Sequence, residues 1–307
     1  MSNFWPISLC RVIYKIVAKT LANRLKKVLP SCISQNQSAF VPGRMIHDNI
    51  LIVHDYCTTF RVQKTVEWKF LETVMKNMGF ADYWINLIMK CVCSVKYVVK
   101  CNGILTNTIT PERGLPQGDP LSPYLFLFCM EAFSRMLNRA QQDEIIRGVQ
   151  ASINGPRINH LFFADDALLF IRNKKEEVET FTKILNDFEK VSGQQINFEK
   201  SMVYFSPKTL TARREHCNML SMQVVDKLNN YFGFPLHIGN KKSLPFNDIL
   251  NRFSCRINSW SKRLLSYGGR EVFIKSILQA LPTYAFSIFL TLRRVVEDMN
   301  SKIRRMW

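Results

Sequence analysis

The sequence predicts an α+β fold organised around an antiparallel hairpin, and three patterns carry that expectation. Leu161–Phe170 sets Ala164-Asp165-Asp166 between two apolar runs rich in Phe and Leu, the pattern of two strands joined at a turn. Val95–Val99 and Ile104–Ile109 flank Asn102-Gly103, a pair suited to the positive φ angles of a two-residue hairpin turn. Outside these hairpins lie long stretches with apolar residues at spacings of three and four, the helical period.

The first hairpin is where the chemistry concentrates. Two adjacent carboxylates at the waist of an apolar strand pair make an awkward turn, because no Gly supplies positive φ there. A solvated acidic turn is the simple reading. The sharper one is a site for Mg²⁺, whose hard oxygen ligands are carboxylates, waters and substrate phosphates. Phe163 and Leu168 are expected to face the core.

Composition narrows the class of partner. The 307 residues are 47% hydrophobic and 21% charged, which suits a globular chain with one large unit or two to three smaller ones. Lys and Arg number 42 against 24 Asp and Glu, a net charge of +18 that calls for a polyanionic partner. From Lys241 to Trp307 there are 13 Lys/Arg and 4 Asp/Glu, so this tail carries +9 of that excess. Its charges alternate with apolar residues at helical spacing, as a folded basic face along a phosphate backbone would. The nine Cys are scattered without metal-ligand spacing, so free thiols in a reducing intracellular compartment, nucleus or cytoplasm, are expected. No apolar run reaches 18 residues and no signal-peptide pattern follows Met1, so no membrane association is expected.

In chain order, Val12, Ile13, Ile16, Val17, Leu21, Leu25 and Val28 form the apolar stripe of a helix expected to end at Pro30. Arg11, Lys15, Lys19, Arg24, Lys26 and Lys27 lie on its other face. A polar loop, Gln35–Arg44, leads to a second helical pattern over Met45–Phe60, with Ile46, Ile50, Val53 and Cys57 on one side. Val66–Gly79 is again helical, with Gly79 at the C-terminal cap. Gly114-Leu115-Pro116-Gln117-Gly118-Asp119-Pro120-Leu121-Ser122-Pro123 is a rigid turn in which Ser122 can cap, and Pro123 open, the apolar helix that follows. Backbone bared by glycine beside a Gln amide suits close approach to a base pair.

These segments together resemble the ordered motifs of reverse transcriptases, and in particular those of plant non-LTR (LINE-type) retrotransposons. The likeness rests on Gly114–Pro123, then Phe163-Ala164-Asp165-Asp166, then Ser192-Gly193-Gln194-Gln195-Ile196-Asn197-Phe198-Glu199-Lys200-Ser201, then Tyr231-Phe232-Gly233-Phe234-Pro235. Pro6-Ile7-Ser8-Leu9 and Gln37–Arg44 look like that family's fingers, and Trp260–Pro282 is similar to its post-palm helices.

The resemblance implies a right-hand polymerase: fingers with a remnant of the first palm segment over 1–80, a palm with an antiparallel sheet over 81–240, and a helical thumb over 241–307. It implies that Asp165 and Asp166 are catalytic metal ligands in a two-Mg²⁺ site and that Lys200 lies in the motif supplying a proton to pyrophosphate. It further implies that Arg44, Gln117, Gly118, Tyr231 and Gly233 contact substrate, template or primer. The implied partners are an RNA template, a DNA primer and deoxynucleotide triphosphates; the implied reaction is attack of a primer 3′-hydroxyl on an incoming nucleotide.

Two departures stand against that reading. The family's third carboxylate ends a central palm strand, and only Arg61-Val62-Gln63-Lys64-Thr65 remains where that strand belongs, so a palm lacking one central strand is expected. Asp55 and Glu67 are the nearby acids, and both fall on helical patterns. Trp5 stands where the family carries a phosphate-holding Arg, and a planar apolar ring cannot replace a cationic fork. The chain begins inside a fingers motif and ends within a helical pattern, as expected for a fragment of a decayed element. Three functions are therefore weighed: an active RNA-directed DNA polymerase, a catalytically impaired remnant that binds nucleic acid, and an RNA-binding relative of group II intron maturases.

Overall fold

The computed structural model describes residues 11–45, 49, 58–61, 65–150, 155–172, 174–205, 222–225, 244–259, 265–287 and 291–307. Through Val225 they form one compact unit, and from Leu244 onward a second. Trp5, Asp55, Tyr231, Gly233 and most of the pattern assigned to a helix over Met45–Phe60 lie outside the described residues.

The first unit opens with α1 (Val12–Cys32), which buries Ala18, Leu21, Ala22, Leu25 and Leu29. The β-branched Val12, Ile13 and Ile16 of its first turns are exposed. The helix runs through Pro30 to Cys32, and the N–H of its cap, Ile33, still reaches the Leu29 carbonyl at 2.9 Å. Near a helix end a proline costs one ladder bond and need not stop the chain.

Strand β1 (Thr58–Arg61) corrects two expectations. The pattern over Met45–Phe60 does not stay helical to its end, and the palm does not lack its central strand. Four residues suffice, because Thr58 and Thr59 are β-branched and neighbours pair on both sides. After β1 come α2 (Trp68–Asn77), closed by Gly79 at φ +84°, and α3 (Asp82–Cys93). Then β2 (Lys100–Cys101) and β3 (Ile104–Leu105) form the expected hairpin, with both Asn102 and Gly103 at positive φ. Helix α4 (Ser122–Gln142) buries every residue from Tyr124 to Glu131, since its first turns are apolar nearly all round.

Beyond α4, β4 (Val149–Gln150) pairs with β5 (Arg157–Ile158), and β6 (His160–Phe163) pairs antiparallel with β7 (Asp166–Leu169). Helix α5 (Lys175–Ser192) then leads through a single 3-10 turn, Phe198–Lys200, to β8 (Met202–Tyr204) and β9 (Gln223–Val225). The sheet order is β6-β7-β1-β8-β9, antiparallel except for the β8–β9 pair. Helices α2, α4 and α5 pack with one another, and their apolar side chains share one core with Phe162, Ala167 and Leu169 of the hairpin. Phe133 of α4 stacks between Phe162 (5.5 Å) and Phe188 of α5 (4.6 Å).

The second unit has its own core. Phe246, Ile249, Phe253 and Ile257 of α6 (Leu244–Ser259) meet Phe273 of α7 (Tyr267–Phe273) and Leu278. A π-helical turn, Ile274–Leu278, joins α7 to α8 (Ala280–Phe286), and Val295, Met299 and Met306 of α9 (Arg293–Met306) complete the cluster. Among the described residues no helix is long and apolar enough to cross a membrane.

Candidate active site

Asp165 and Asp166 sit at a two-residue turn, Ala164-Asp165, with Phe163 opposite Asp166 across the ladder. Cross-strand partners share a face, so His160, Phe162, Ala167 and Leu169 lie on one side, and Leu161, Phe163, Asp166 and Leu168 on the other. The helix-packed side holds Phe162, which is fully buried, whereas Phe163 is half-buried. The expectation that Phe163 faces the core is therefore corrected: strand parity, fixed by the tight turn, gives that place to Phe162. Leu168 is fully buried, on the Asp166 face.

The turn lacks glycine, and Ala164 takes the left-handed conformation instead, at φ +53°. Left-handed backbone costs a non-glycine residue about 1–2 kcal/mol, so something must hold it. A buried amide does so. The Gln37 Oε1 accepts the N–H of Ala164 at 3.0 Å and that of Ala39 at 3.0 Å.

Gln37 belongs to a loop fastened along the outer edge of β6. Phe162 donates its N–H to the Asn36 carbonyl at 2.7 Å, Ser38 donates its own to the Phe162 carbonyl at 3.0 Å, and Asn36 Nδ2 reaches the His160 carbonyl at 2.7 Å. Asn49 adds a bond from Nδ2 to the Phe162 carbonyl at 3.1 Å while accepting the Ser38 hydroxyl at 2.8 Å. Arg44 is spent on the same loop: its guanidinium donates to the carbonyls of Gln37 (2.8 Å), Ile33 (2.9 Å) and Ser34. Burial lowers the Arg44 pKa, and the charge of Glu131 opposes that shift. Glu131, itself buried, accepts the Ser34 N–H at 2.8 Å. Below the loop, the fully buried His160 bonds Ser134 Oγ at 2.7 Å and Asn159 Oδ1 at 2.5 Å, and burial pushes its pKa down to about 3.

The stretch after β1 gathers the other motifs. Val66 accepts the Gly114 N–H at 2.7 Å, and Trp68 Nε1 donates to the Gly114 carbonyl at 2.8 Å. Glu67 donates its N–H to Ser192 at 2.9 Å, and Thr65 Oγ1 donates to the Gly193 carbonyl at 2.8 Å. Gly193 is required there, at φ +69° with no room for a Cβ against Glu67. Glu67, expected inside a helix, is the residue before α2 and faces Arg113 at 3.5 Å.

Within the glycine-rich turn, Gln117 and Gly118 are exposed, with Gly118 at φ +88°. Asp119, not Ser122, caps α4: its Oδ2 accepts both the N–H and the hydroxyl of Ser122 at 3.0 Å. Burial raises the Asp119 pKa, against the pull of those bonds. Ser122 thus acts as a donor and not as the cap that its Ser-Pro pair suggests, because Asp119, three residues upstream, takes both its N–H and its hydroxyl. Lys200 ends the 3-10 turn beside β8, and its side chain lies outside the described residues.

A two-metal centre needs carboxylates from more than one strand. Strand β1 brings Arg61, and no acid, opposite Asp166 in the ladder. Among the described residues no group of three or more His, Cys, Asp or Glu could hold a metal ion. Among the described residues, the acidic turn by itself does not assemble the donor set of a two-ion Mg²⁺ site. Sequence reading found the turn and its neighbours but gave no role to Gln37, Asn36, Asn49 or His160; their signal was buried polarity, visible only once the loop is laid against β6.

The chain is 51% identical over 75 residues to an uncharacterized mitochondrial protein of Arabidopsis thaliana, covering 24% of this chain and 62% of that one. It is 26% identical over 240 residues to the Pol polyprotein of the type-2 retrotransposable element R2DM of Drosophila melanogaster, covering 72% of this chain and 21% of that protein. To a transposon TX1 protein of Xenopus laevis it is 27% identical over 216 residues, which is 66% of this chain and 16% of the relative. The chain thus spans less than two thirds of each of these relatives. Telomerase of Candida tropicalis, solved with a fragment of telomeric RNA, aligns with TM-score 0.51 at 12% identity over 94% of this chain and 46% of that one. That likeness shows the fold, the right-hand polymerase. Residues 1–234 match the reverse transcriptase (RNA-dependent DNA polymerase) family, and the chain belongs to it.

Proposed function

We propose that this chain is a reverse transcriptase domain that binds a template–primer of RNA and DNA but is impaired in nucleotidyl transfer. The observation that carries the reading is the register of β1, which pairs Arg61, and no acidic residue, with Asp166 of the turn. Adjacent Asp165 and Asp166 come from one turn, and one turn cannot bracket two ions.

Binding is supported by charge. Arg11, Lys15, Lys19, Arg24 and Lys27 are exposed along α1, and Arg293, Arg294, Arg304 and Arg305 along α9. The exposure of Gln117 and Gly118 supports their contact with a base pair and a nucleotide, and the free thiols Cys32, Cys93 and Cys255 suit an intracellular compartment, nucleus or cytoplasm.

Primer extension on an RNA template with Mg²⁺ or Mn²⁺ tests the proposal. The expected result is no synthesis above that of the Asp165→Ala/Asp166→Ala variant, alongside salt-sensitive retention of the hybrid. Template-dependent synthesis that disappears in the double variant overturns it.

A further inference from the structure

We propose that Gln37 is a positioning residue for the acidic turn: by accepting the Ala164 N–H, its amide oxygen holds Ala164 in the left-handed conformation that sets the backbone of Asp165 and Asp166. The inference rests on the reading of that turn as the site's acidic element.

The geometry fixes which end of the amide does this. Two backbone N–H groups converge on one side-chain atom, each at 3.0 Å, so that atom must be the oxygen. The amide nitrogen is left buried with no hydrogen-bond partner. A buried donor without a partner is unfavourable, and an apolar side chain of similar volume would avoid it. The same apolar side chain would, however, orphan the N–H groups of both Ala39 and Ala164. Retaining the glutamine thus exchanges two unmet backbone donors for one unmet side-chain amino group. What the fold uses is the acceptor.

The anchoring of Gln37 makes the brace stiff. Its own backbone bridges Phe162 in parallel, and its carbonyl accepts from Arg44. Gln37 is therefore held at two points of the hairpin, through its main chain to Phe162 within β6 and through its side chain to the turn. Ala164 has no conformational preference for φ +53°, so the turn relies on this external contact as a glycine would not.

Residue-resolved amide hydrogen exchange on the full chain tests it, without template, metal or catalysis. In Gln37→Met, which keeps volume and loses the acceptor, exchange at Ala164 and Asp166 is expected to rise roughly 10- to 100-fold while amides of α4 keep their rates. Adding Ala164→Gly should return Asp166 toward its original rate, because glycine takes the left-handed conformation unaided. A residue that only fills space would not be rescued at this distance from its own side chain. Gln37→Glu retains the acceptor in the same volume and should keep Ala164 protected, which secures the test if the Met variant does not fold. Unchanged exchange at Ala164 in Gln37→Met, loss of protection in Gln37→Glu, or no rescue by Ala164→Gly overturns the proposal. Because the readout is exchange alone, it fails or succeeds independently of any result in primer extension.

Discussion

Arg61 stands directly opposite Asp166 in the antiparallel ladder between β1 and β7. Directly opposed residues have Cβ atoms about 4.5–5.5 Å apart, within reach of one shared ion. Arg61→Asp therefore puts a metal-ligating residue type at the ladder position paired with Asp166. Titration with Mn²⁺ should show affinity at least roughly 10-fold above that of the unmodified chain, and the gain should vanish in Arg61→Asp/Asp166→Asn. Equal affinities for the unmodified chain and Arg61→Asp would show that this ladder position does not govern metal binding.

Nucleic-acid affinity should fall steeply with salt, because phosphate neutralisation releases counterions. Reversing two exposed charges on α9, Arg304→Glu and Arg305→Glu, should reduce the slope of log K against log salt by about 2, with little dependence on sequence. Binding isotherms at several salt concentrations read this directly. An unchanged slope would remove α9 from the interface.

His160 makes stability depend on pH. Its folded pKa lies near 3, below the ordinary 6.5, so the unfolded chain binds a proton that the folded chain refuses. The contribution is complete above pH about 6.5 and declines as pH falls toward 3; between pH 7.5 and 5.5 the loss is about 1.4 kcal/mol. Urea midpoints at the two pH values should show it, and His160→Gln should flatten the difference.

Gly193→Ala should destabilise by about 1–3 kcal/mol. The new Cβ would lie 2.5 Å from Glu67 Cγ, at a backbone φ of +69°. Its effect should be larger than that of Gly43→Ala, where φ is +80° but nothing lies within 4 Å. Equal urea midpoints for the two variants would contradict the close packing at Glu67.

Phe133→Ala should cost about 3–5 kcal/mol, since it empties the space between Phe162 and Phe188. Chemical denaturation measures it. A cost below about 1 kcal/mol would mean that the aromatic stack closes over the gap.

Much of this was legible in the residues. Asn102-Gly103 and Gly79 announce their conformations, and the paired apolar runs around Asp165 announce a hairpin. What failed did so for physical reasons. The four residues of β1 follow a helix-like apolar pattern and have no turn signal of their own; pairing with β7 and β8 makes them a strand. The face of Phe163 depended on a one-residue parity that the turn decides. Val12, Ile13 and Ile16 carry the helical period yet stay exposed, because periodicity marks a face without saying whether anything covers it. Gln37 and Arg44 sit inside a segment that looks like the family's fingers, but a sequence cannot distinguish a side chain that meets substrate from one that meets carbonyls.

The segment Asn36–Ser38 also bears on how the sheet is assembled during synthesis. The Asn36 amide meets the His160 carbonyl across 124 residues of sequence. Translation delivers this loop, α1 and β1 long before β6 and β7 emerge, so the hairpin meets a waiting partner on each flank. An outer strand left bare would offer its ladder to any neighbouring chain. Here the earliest-made loop closes that edge as the hairpin forms, and a nascent chain stalled before Phe162 would have the guard without the strand, not the strand without its guard.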